Sequence, residues 1–255
     1  MNKRGQFTLF VVLGIVLVII VALVYVFRGN IASTYQEITG GLAVPSEVAE
    51  VQDAVEVCVG NAVPTGLHIL GAQGGYFILP ELRYSSPVGG DIAYAYYDGE
   101  KELLSYEELL SEYESYLSLA IPTCLSVQDF SPLLVEPGDL SVTLDAGDTL
   151  QVTVDYPVIV INQNGDAYTL ADPYVYEEQI NLPKLYAGID TIVDSLVENP
   201  EDDNYQLYLS TGYQVAIIPT EQDIVVYSVT DPLAIVGDSP YVFFFATYYP
   251  FAEAP

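Results

Sequence analysis

Basic residues are the scarcest class in this sequence, and their scarcity restricts what the protein can bind. The chain has 255 residues, with six Lys and Arg against 35 Asp and Glu. Three of the basic residues (Lys3, Arg4 and Arg28) precede every acidic one, so the chain after Arg28 carries a formal charge of 3 − 35 = −32. Such a surface repels phosphate groups, which excludes DNA and RNA as partners.

Residues that commonly perform catalysis are also few. The sequence has one His and no Trp. A Ser-His-Asp or Cys-His arrangement would need His68, whose neighbours from Gly66 to Gly71 are apolar, and there is no G-x-S-x-G motif. We therefore expect His68 to be a partly buried structural side chain and the protein not to be an enzyme.

Disorder is excluded by what the chain does contain. Hydrophobic residues make up 51% of it, and 22 residues are Tyr. Charged residues are only 16%, so the unusual feature is the missing Lys and Arg rather than a surplus of acid. Two explanations of the acidity remain open: a high-salt habitat, where ions screen the repulsion, or a surface that collects divalent cations.

An apolar segment near the N-terminus predicts a single membrane-spanning helix. Residues 7–27 contain no charge and would form a helix about 31 Å long, the thickness of a bilayer core. No A-x-A cleavage pattern follows the segment. Positive charge precedes it, so we expect residues 1–6 in the cytoplasm, residues 7–28 in the membrane lipid and the rest outside the cell.

The start of the chain carries a family resemblance. Lys3-Arg4-Gly5-Gln6, followed at once by the apolar helix, resembles the class III signal of archaeal prepilins. The resemblance implies cleavage between Gly5 and Gln6 and self-association of the helix in the core of a type IV pilus-like filament. Phe10 departs from the pattern, since many pilins have a Glu there. The alternative is an uncleaved anchor.

The part outside the membrane is expected to be an α+β domain, with helices packed on a mostly antiparallel sheet. Residues 29–45 form a connector, residues 46–127 a helical part, and residues 128–255 a mainly β part. The helix-and-glycine portion that precedes Cys124 loosely resembles uncharacterised anchored surface proteins of small-genome archaea, a resemblance that implies no activity. A helix is predicted from Ser46, with Gly60 and Pro64 disturbing it.

Local signals place further elements. Ser105 and Glu108 form a capping box that opens a second helix, and a third helix is predicted over residues 182–197. Hairpins are predicted around residues 145–148 and around Asn164-Gly165. The Tyr-rich segment 241–251 is either a central strand buried on both faces or an edge used in adhesion or assembly.

The two cysteines predict one disulfide. Cys58 and Cys124 lie in or near two predicted helices of an extracellular domain. In the chain-entropy model, a bond between them would stabilise the fold by about 4 kcal/mol, because it closes a long loop in the unfolded chain. Two buried free thiols are the alternative, whereas the spacing does not suit a zinc site.

The one candidate metal site is weak. Glu201, Asp202 and Asp203 follow Pro200 and offer hard oxygen ligands that suit Ca²⁺. They lack the EF-hand pattern, so a solvated acidic loop is the ordinary alternative, and no other cofactor is expected.

These observations favour a cell-surface structural protein, either pilin-like or a subunit of a surface assembly. The alternative is an uncleaved, membrane-anchored binding module that recognises a surface partner, a polymer or Ca²⁺. The missing catalytic residues and the N-terminal signal favour the first; the large acidic domain favours the second.

Overall fold

The structure, a computed structural model, describes residues 45–86, 90–199, 205–220 and 223–249. These residues form an α+β fold with mostly antiparallel sheets, as the sequence predicts. The chain divides into a unit of residues Met1–Ala49 and a unit of residues Glu50–Pro255. The predicted membrane helix over residues 7–28 lies outside the described residues. Within the described ranges, no helix is long and apolar enough to cross a membrane.

The helices begin close to where the sequence places them. They are α1 (Ser46–Ala72), α2 (Tyr106–Cys124), α3 (Leu182–Glu198) and α4 (Tyr205–Thr211), with a short 3₁₀ helix at Val127–Phe130. The predicted capping box of α2 is present: the Glu108 amide donates to Ser105 Oγ (3.2 Å), and the Ser105 amide donates to Glu108 Oε2 (2.8 Å). Of the four helices, α4 was not predicted.

Helix α1 is longer than expected. The sequence predicts a disturbance at Gly60 and Pro64, but one helix continues through both residues to Ala72. Its glycines allow close packing instead: a Cβ atom at Gly66 would lie 2.5 Å from the Tyr116 ring of α2. Burial of this helix against aromatic rings therefore outweighs the hydrogen bond lost at Pro64.

The described residues also form twelve strands, which group into three sheets. The strands are β1 (Arg83–Ser85), β2 (Asp91–Tyr97), β3 (Glu100–Lys101), β4 (Leu134–Pro137), β5 (Ser141–Ala146), β6 (Leu150–Asp155), β7 (Val158–Ile161), β8 (Ala167–Leu170), β9 (Tyr174–Glu178), β10 (Gln214–Pro219), β11 (Ile224–Val236) and β12 (Ser239–Tyr248). Two sheets are three-stranded, with orders β4-β7-β8 and β5-β6-β9.

The third sheet, the main sheet, brings together the two ends of the described chain. Its order is β1-β2-β12-β11-β10, and β3 pairs with the end of β2. Strand β2 runs parallel to β12, while the other pairs are antiparallel. The predicted helical part (46–127) therefore supplies strands to the same sheet as the predicted β part (128–255).

Both predicted hairpins are confirmed. Strands β5 and β6 pair around residues 147–149, and β7 and β8 pair around the Asn164-Gly165 turn. Gly165 has φ = 86°, a backbone conformation that glycine adopts without strain. The Asn162 side chain accepts hydrogen bonds from the amides of Asn164 and Asp166, both at 2.9 Å, which holds the turn closed.

Part of the core lies between the helices and one face of the main sheet, which we call the helix-covered face, and the two smaller sheets contribute further buried residues such as Val152 and Val160. Phe243 of β12 is fully buried, and its ring meets Tyr186 of α3 at 6.0 Å. Tyr227 of β11 stacks on Phe245 at 5.0 Å and contacts Tyr208 of α4. Strand β12 is thus a central strand of the sheet, which is one of the two alternatives predicted for this segment. Helices cover one of its faces, where Phe243 and Phe245 lie.

Candidate functional site

A disulfide ties the first two helices together. The Sγ atoms of Cys58 in α1 and Cys124 at the end of α2 are bonded, with the Cα atoms 5.7 Å apart. This is the pairing that the sequence predicts. A second contact lies alongside, because the buried Tyr113 hydroxyl of α2 donates to the carbonyl of Val63 in α1 at 2.8 Å. The two helices therefore form one cross-linked layer.

The single histidine has structural surroundings. His68 Nε2 lies 3.1 Å from the carbonyl oxygen of Val236, and the ring lies 6.3 Å from the Tyr241 ring. These contacts hold the end of α1 against strands β11 and β12. The imidazole is thus partly buried and hydrogen-bonded, as expected for a side chain that supports the fold.

The candidate calcium ligands and the candidate cleavage site lie outside the described residues. This applies to Glu201, Asp202 and Asp203, and to Gly5 and Gln6. In the part of the chain that is described, no group of three or more His, Cys, Asp or Glu side chains is arranged to hold a metal ion.

Two of the basic residues beyond Arg28 pair with carboxylates. Arg83 Nε donates to Asp91 Oδ2 at 2.8 Å, and this hydrogen bond lowers the pKa of Asp91 below its ordinary value. Lys101 Nζ reaches Asp190 at 2.7 Å and Asp194 at 2.5 Å, on successive turns of α3. Partial burial lowers the Lys101 pKa, but the two carboxylates raise it by more. The small number of cations leaves most carboxylates of the domain without a basic partner.

A groove of about 640 Å³ lies next to Lys101. It lies between the start of α2 and the start of α3, and part of its polar lining is engaged in the fold, whereas the buried Tyr106 hydroxyl has no hydrogen-bond partner among the described residues. The Tyr186 hydroxyl donates to the Leu104 carbonyl at 2.7 Å, while Ser105 caps α2. Burial, followed by the charge of Glu107, raises the pKa of Tyr106 to about 12. The Tyr186 and Ser105 contacts are structural ones that hold the start of α2 beside α3.

The second face of the main sheet is different from the helix-covered one, and we call it the uncharged face. Directly paired residues of neighbouring strands share a face, so the register identifies its members. They are Tyr84, Ile92, Tyr94 and Tyr97 from β1 and β2; Val242, Phe244, Ala246 and Tyr248 from β12; Ile224, Val226, Ser228 and Thr230 from β11; and Gln214, Ala216 and Ile218 from β10. None of these side chains is charged. Glu100 of β3, which pairs directly with Tyr97, is the one carboxylate that the register of the described strands places on this face, and it lies at the corner.

The centre of the uncharged face is formed by the sheet's own side chains. Tyr94, Val226 and Ala246 are buried, and partly exposed aromatic and aliphatic residues of the same strands pack around them. The rings are ordered: Tyr97 stacks on Tyr248 at 4.9 Å and meets Tyr94 edge-on at 5.1 Å. This arrangement makes an apolar platform of packed rings, which is a suitable surface for binding a partner.

The sequence gives only a partial signal for this face. Strand β12 carries apolar residues on both of its faces, which indicates that each face is covered in some state of the protein. A register shift at Ala95, however, is what brings Tyr94 and Tyr97 onto the same face. Such an irregularity depends on pairing with a distant strand, so the sequence does not reveal it.

Comparison with known proteins gives no family for this chain. No protein-family model matches it, and no curated protein or solved structure matches it either. Its function is therefore inferred from the disulfide, the charge distribution, the uncharged face and the N-terminal signal.

Proposed function

We propose that this chain is a cell-surface structural protein, a pilin-like or surface-assembly subunit with an acidic extracellular domain. The Cys58–Cys124 disulfide is the structural observation that supports this most directly. Disulfides persist in oxidising compartments and are rare in the cytoplasm, so the bond favours a domain outside the cell. The N-terminal signal, Lys3 to Gln6 with the apolar run after it, supports anchoring and assembly.

The charge distribution supports the same topology. Lys3 and Arg4 precede the apolar segment and are retained on the cytoplasmic side by the positive-inside rule. The domain beyond it has a formal charge of 3 − 35 = −32, which resists nonspecific association with acidic polymers and keeps it soluble at a cell surface.

N-terminal sequencing of the protein isolated from its native cells tests assembly through a processed helix. A mature chain that begins at Gln6 is the expected result, because cleavage between Gly5 and Gln6 releases the helix for packing with its copies. A chain that begins at Met1 or Asn2 would contradict the processed form.

Labelling of intact cells with a membrane-impermeant amine reagent tests the topology. Lys184 is exposed near the start of α3 and should be modified in intact cells. In chains that retain residues 1–5, Lys3 should react only after the cells are permeabilised, so in those chains each lysine is the control for the other. Protection of Lys184 in intact cells, with labelling after permeabilisation, would place the acidic domain inside and refute the proposal.

The uncharged face favours a second candidate, an uncleaved membrane-anchored binding module. A surface domain that exposes an ordered aromatic platform is suited to binding an uncharged ligand or protein. An intact N-terminus together with external labelling of Lys184 would support this candidate over the filament subunit.

A further inference from the structure

One surface of this strongly acidic domain is almost free of charge, with Glu100 at its corner as the one carboxylate that the described strands place on it. The solvent side of an antiparallel sheet normally carries polar and charged side chains. The uncharged face instead presents Tyr97, Tyr248 and Phe244, all partly exposed, in a chain that has 35 acidic residues. The scarcity of carboxylates on this surface indicates that it is covered when the protein performs its function.

We propose that the uncharged face binds the same face of a second copy of this chain. A basic partner would be drawn to the carboxylates elsewhere on the domain rather than to this face. The occupant must therefore present an uncharged surface of its own. A second copy supplies an identical one, and two identical patches related by a two-fold axis form a closed dimer. The proposal extends the proposed function by naming the partner of the extracellular domain.

The dimensions of the face indicate how strong the contact is. Four strands spaced about 4.8 Å apart, each contributing a stretch of about 20 Å, and the three-residue strand β1 together cover roughly 430 Å² per copy. Two copies would bury about 900 Å² in total, which is the range of weak and transient contacts. Two sheets in this arrangement pack about 10 Å apart, with the rings of Tyr97 and Tyr248 in contact with the opposing copy. The contact is thus weak and reversible, and anchoring of both copies in one membrane raises their effective concentration.

Salt should strengthen this dimer. The apolar contact itself does not depend on ionic strength, but the remaining surfaces repel each other across solvent. The screening length falls from about 10 Å at 0.1 M salt to about 3 Å at 1 M. Sedimentation equilibrium of the full-length protein in a neutral detergent should show more dimer in 1 M sodium chloride than in 0.1 M.

A matched pair of substitutions locates the contact. Ile218→Glu places a carboxylate on the uncharged face at a position that is 44% exposed, whereas Leu233→Glu adds the same charge to the same sheet beyond this face, where the side chain is 85% exposed. We expect Ile218→Glu to raise the dimer dissociation constant about tenfold or more, since it would bury an unpaired charge. Leu233→Glu should change it less than about twofold.

Cross-linking in native membranes gives a second readout that does not need a charge on the face. Ser228→Cys lies within the uncharged face, and Ser141→Cys on strand β5 is the exposed control. Cys58 and Cys124 are bonded to each other, so the introduced thiol is the one that reacts. A short bis-maleimide should link two copies through residue 228 and not through residue 141.

Three results would overturn the proposal: a monomer in 1 M salt, equal dissociation constants for the two Glu variants, or equal cross-linking at residues 228 and 141. A chain that associates equally well with and without Ile218→Glu associates elsewhere. In that case this inference fails while the proposed function stands, because N-terminal sequencing and amine labelling test that function separately.

Discussion

The two faces of the main sheet have similar side chains and different surroundings. On the helix-covered face, Phe243 and Phe245 are fully buried beneath the helical layer. On the uncharged face, Phe244 and Tyr248 pack mainly against residues of the sheet itself and remain partly exposed. Apolar residues in a strand therefore predict that a surface is covered, but they do not identify what covers it. One cover is the protein's own helices, and we propose that the other is a second copy.

Neighbouring phenylalanines give the sharpest test of this difference. Phe243→Ala should lower the free energy of unfolding by about 3–5 kcal/mol, because it leaves a cavity between sheet and helices. Phe244→Ala is the matched control on the uncharged face and should cost about 1–2 kcal/mol, since its ring is partly exposed. Chemical unfolding of the full-length protein in detergent, followed by near-UV circular dichroism, measures both. Equal losses would mean that the two faces are equally packed.

Removal of the disulfide tests the layer that covers the first face. The double variant Cys58→Ala with Cys124→Ala should lower the free energy of unfolding by about 2–4 kcal/mol, because the unfolded chain regains the freedom of a long loop. Amide hydrogen exchange should rise more in α2 than in β11, which is held by hydrogen bonds on both sides. Chemical reduction of the native protein is the control. A uniform rise in exchange would show that the two faces do not differ in local stability.

Elements that depend on neighbouring residues were predictable from the sequence. The capping box at Ser105, the turn at Asn164-Gly165 and helix α3 are all determined within a few residues, and all are confirmed. The parallel pairing of β2 with β12 was not predictable, because it joins segments about 150 residues apart. Strand β11 continues through Pro232 to Val236, and a register irregularity between Thr230 and Ile235 accommodates the proline.

Features of the candidate site were predictable from the sequence only where the type of residue alone determines the chemistry, as with a disulfide. The sequence has two cysteines, so only one disulfide can form within the chain, and the structure joins Cys58 to Cys124 as expected. The uncharged face depends on register across several strands, and a shift of one residue would send a side chain to the other face. Tyr97 illustrates this, since simple alternation from Tyr94 would place it among the helix contacts.

The smallest expected effect concerns one hydroxyl beneath the helices. Tyr186 is buried, its ring meets Phe243, and its hydroxyl donates to the Leu104 carbonyl at 2.7 Å. Tyr186→Phe should therefore lower the free energy of unfolding by about 1 kcal/mol at neutral pH. Tyr97→Phe, which removes a hydroxyl from the uncharged face, is the matched control and should change it by less.

The difference in the free energy of unfolding between the native protein and the Tyr186→Phe variant should also depend on pH. Burial, followed by the charge of Asp190, raises the pKa of Tyr186 well above its ordinary value. Below the unfolded pKa of about 10 the group is protonated in both states, and its contribution to stability is fully present. Above that pH the unfolded chain releases the proton while the folded chain retains it, so native stability falls. The phenylalanine variant lacks this group, and its deficit of about 1 kcal/mol should close by about pH 11. Unfolding midpoints in urea between pH 7 and pH 11 measure the gap. A gap that stays constant over this range would show that the Tyr186 hydroxyl ionises as readily in the fold as in the unfolded chain, and that the helix-covered face is open to water at this point.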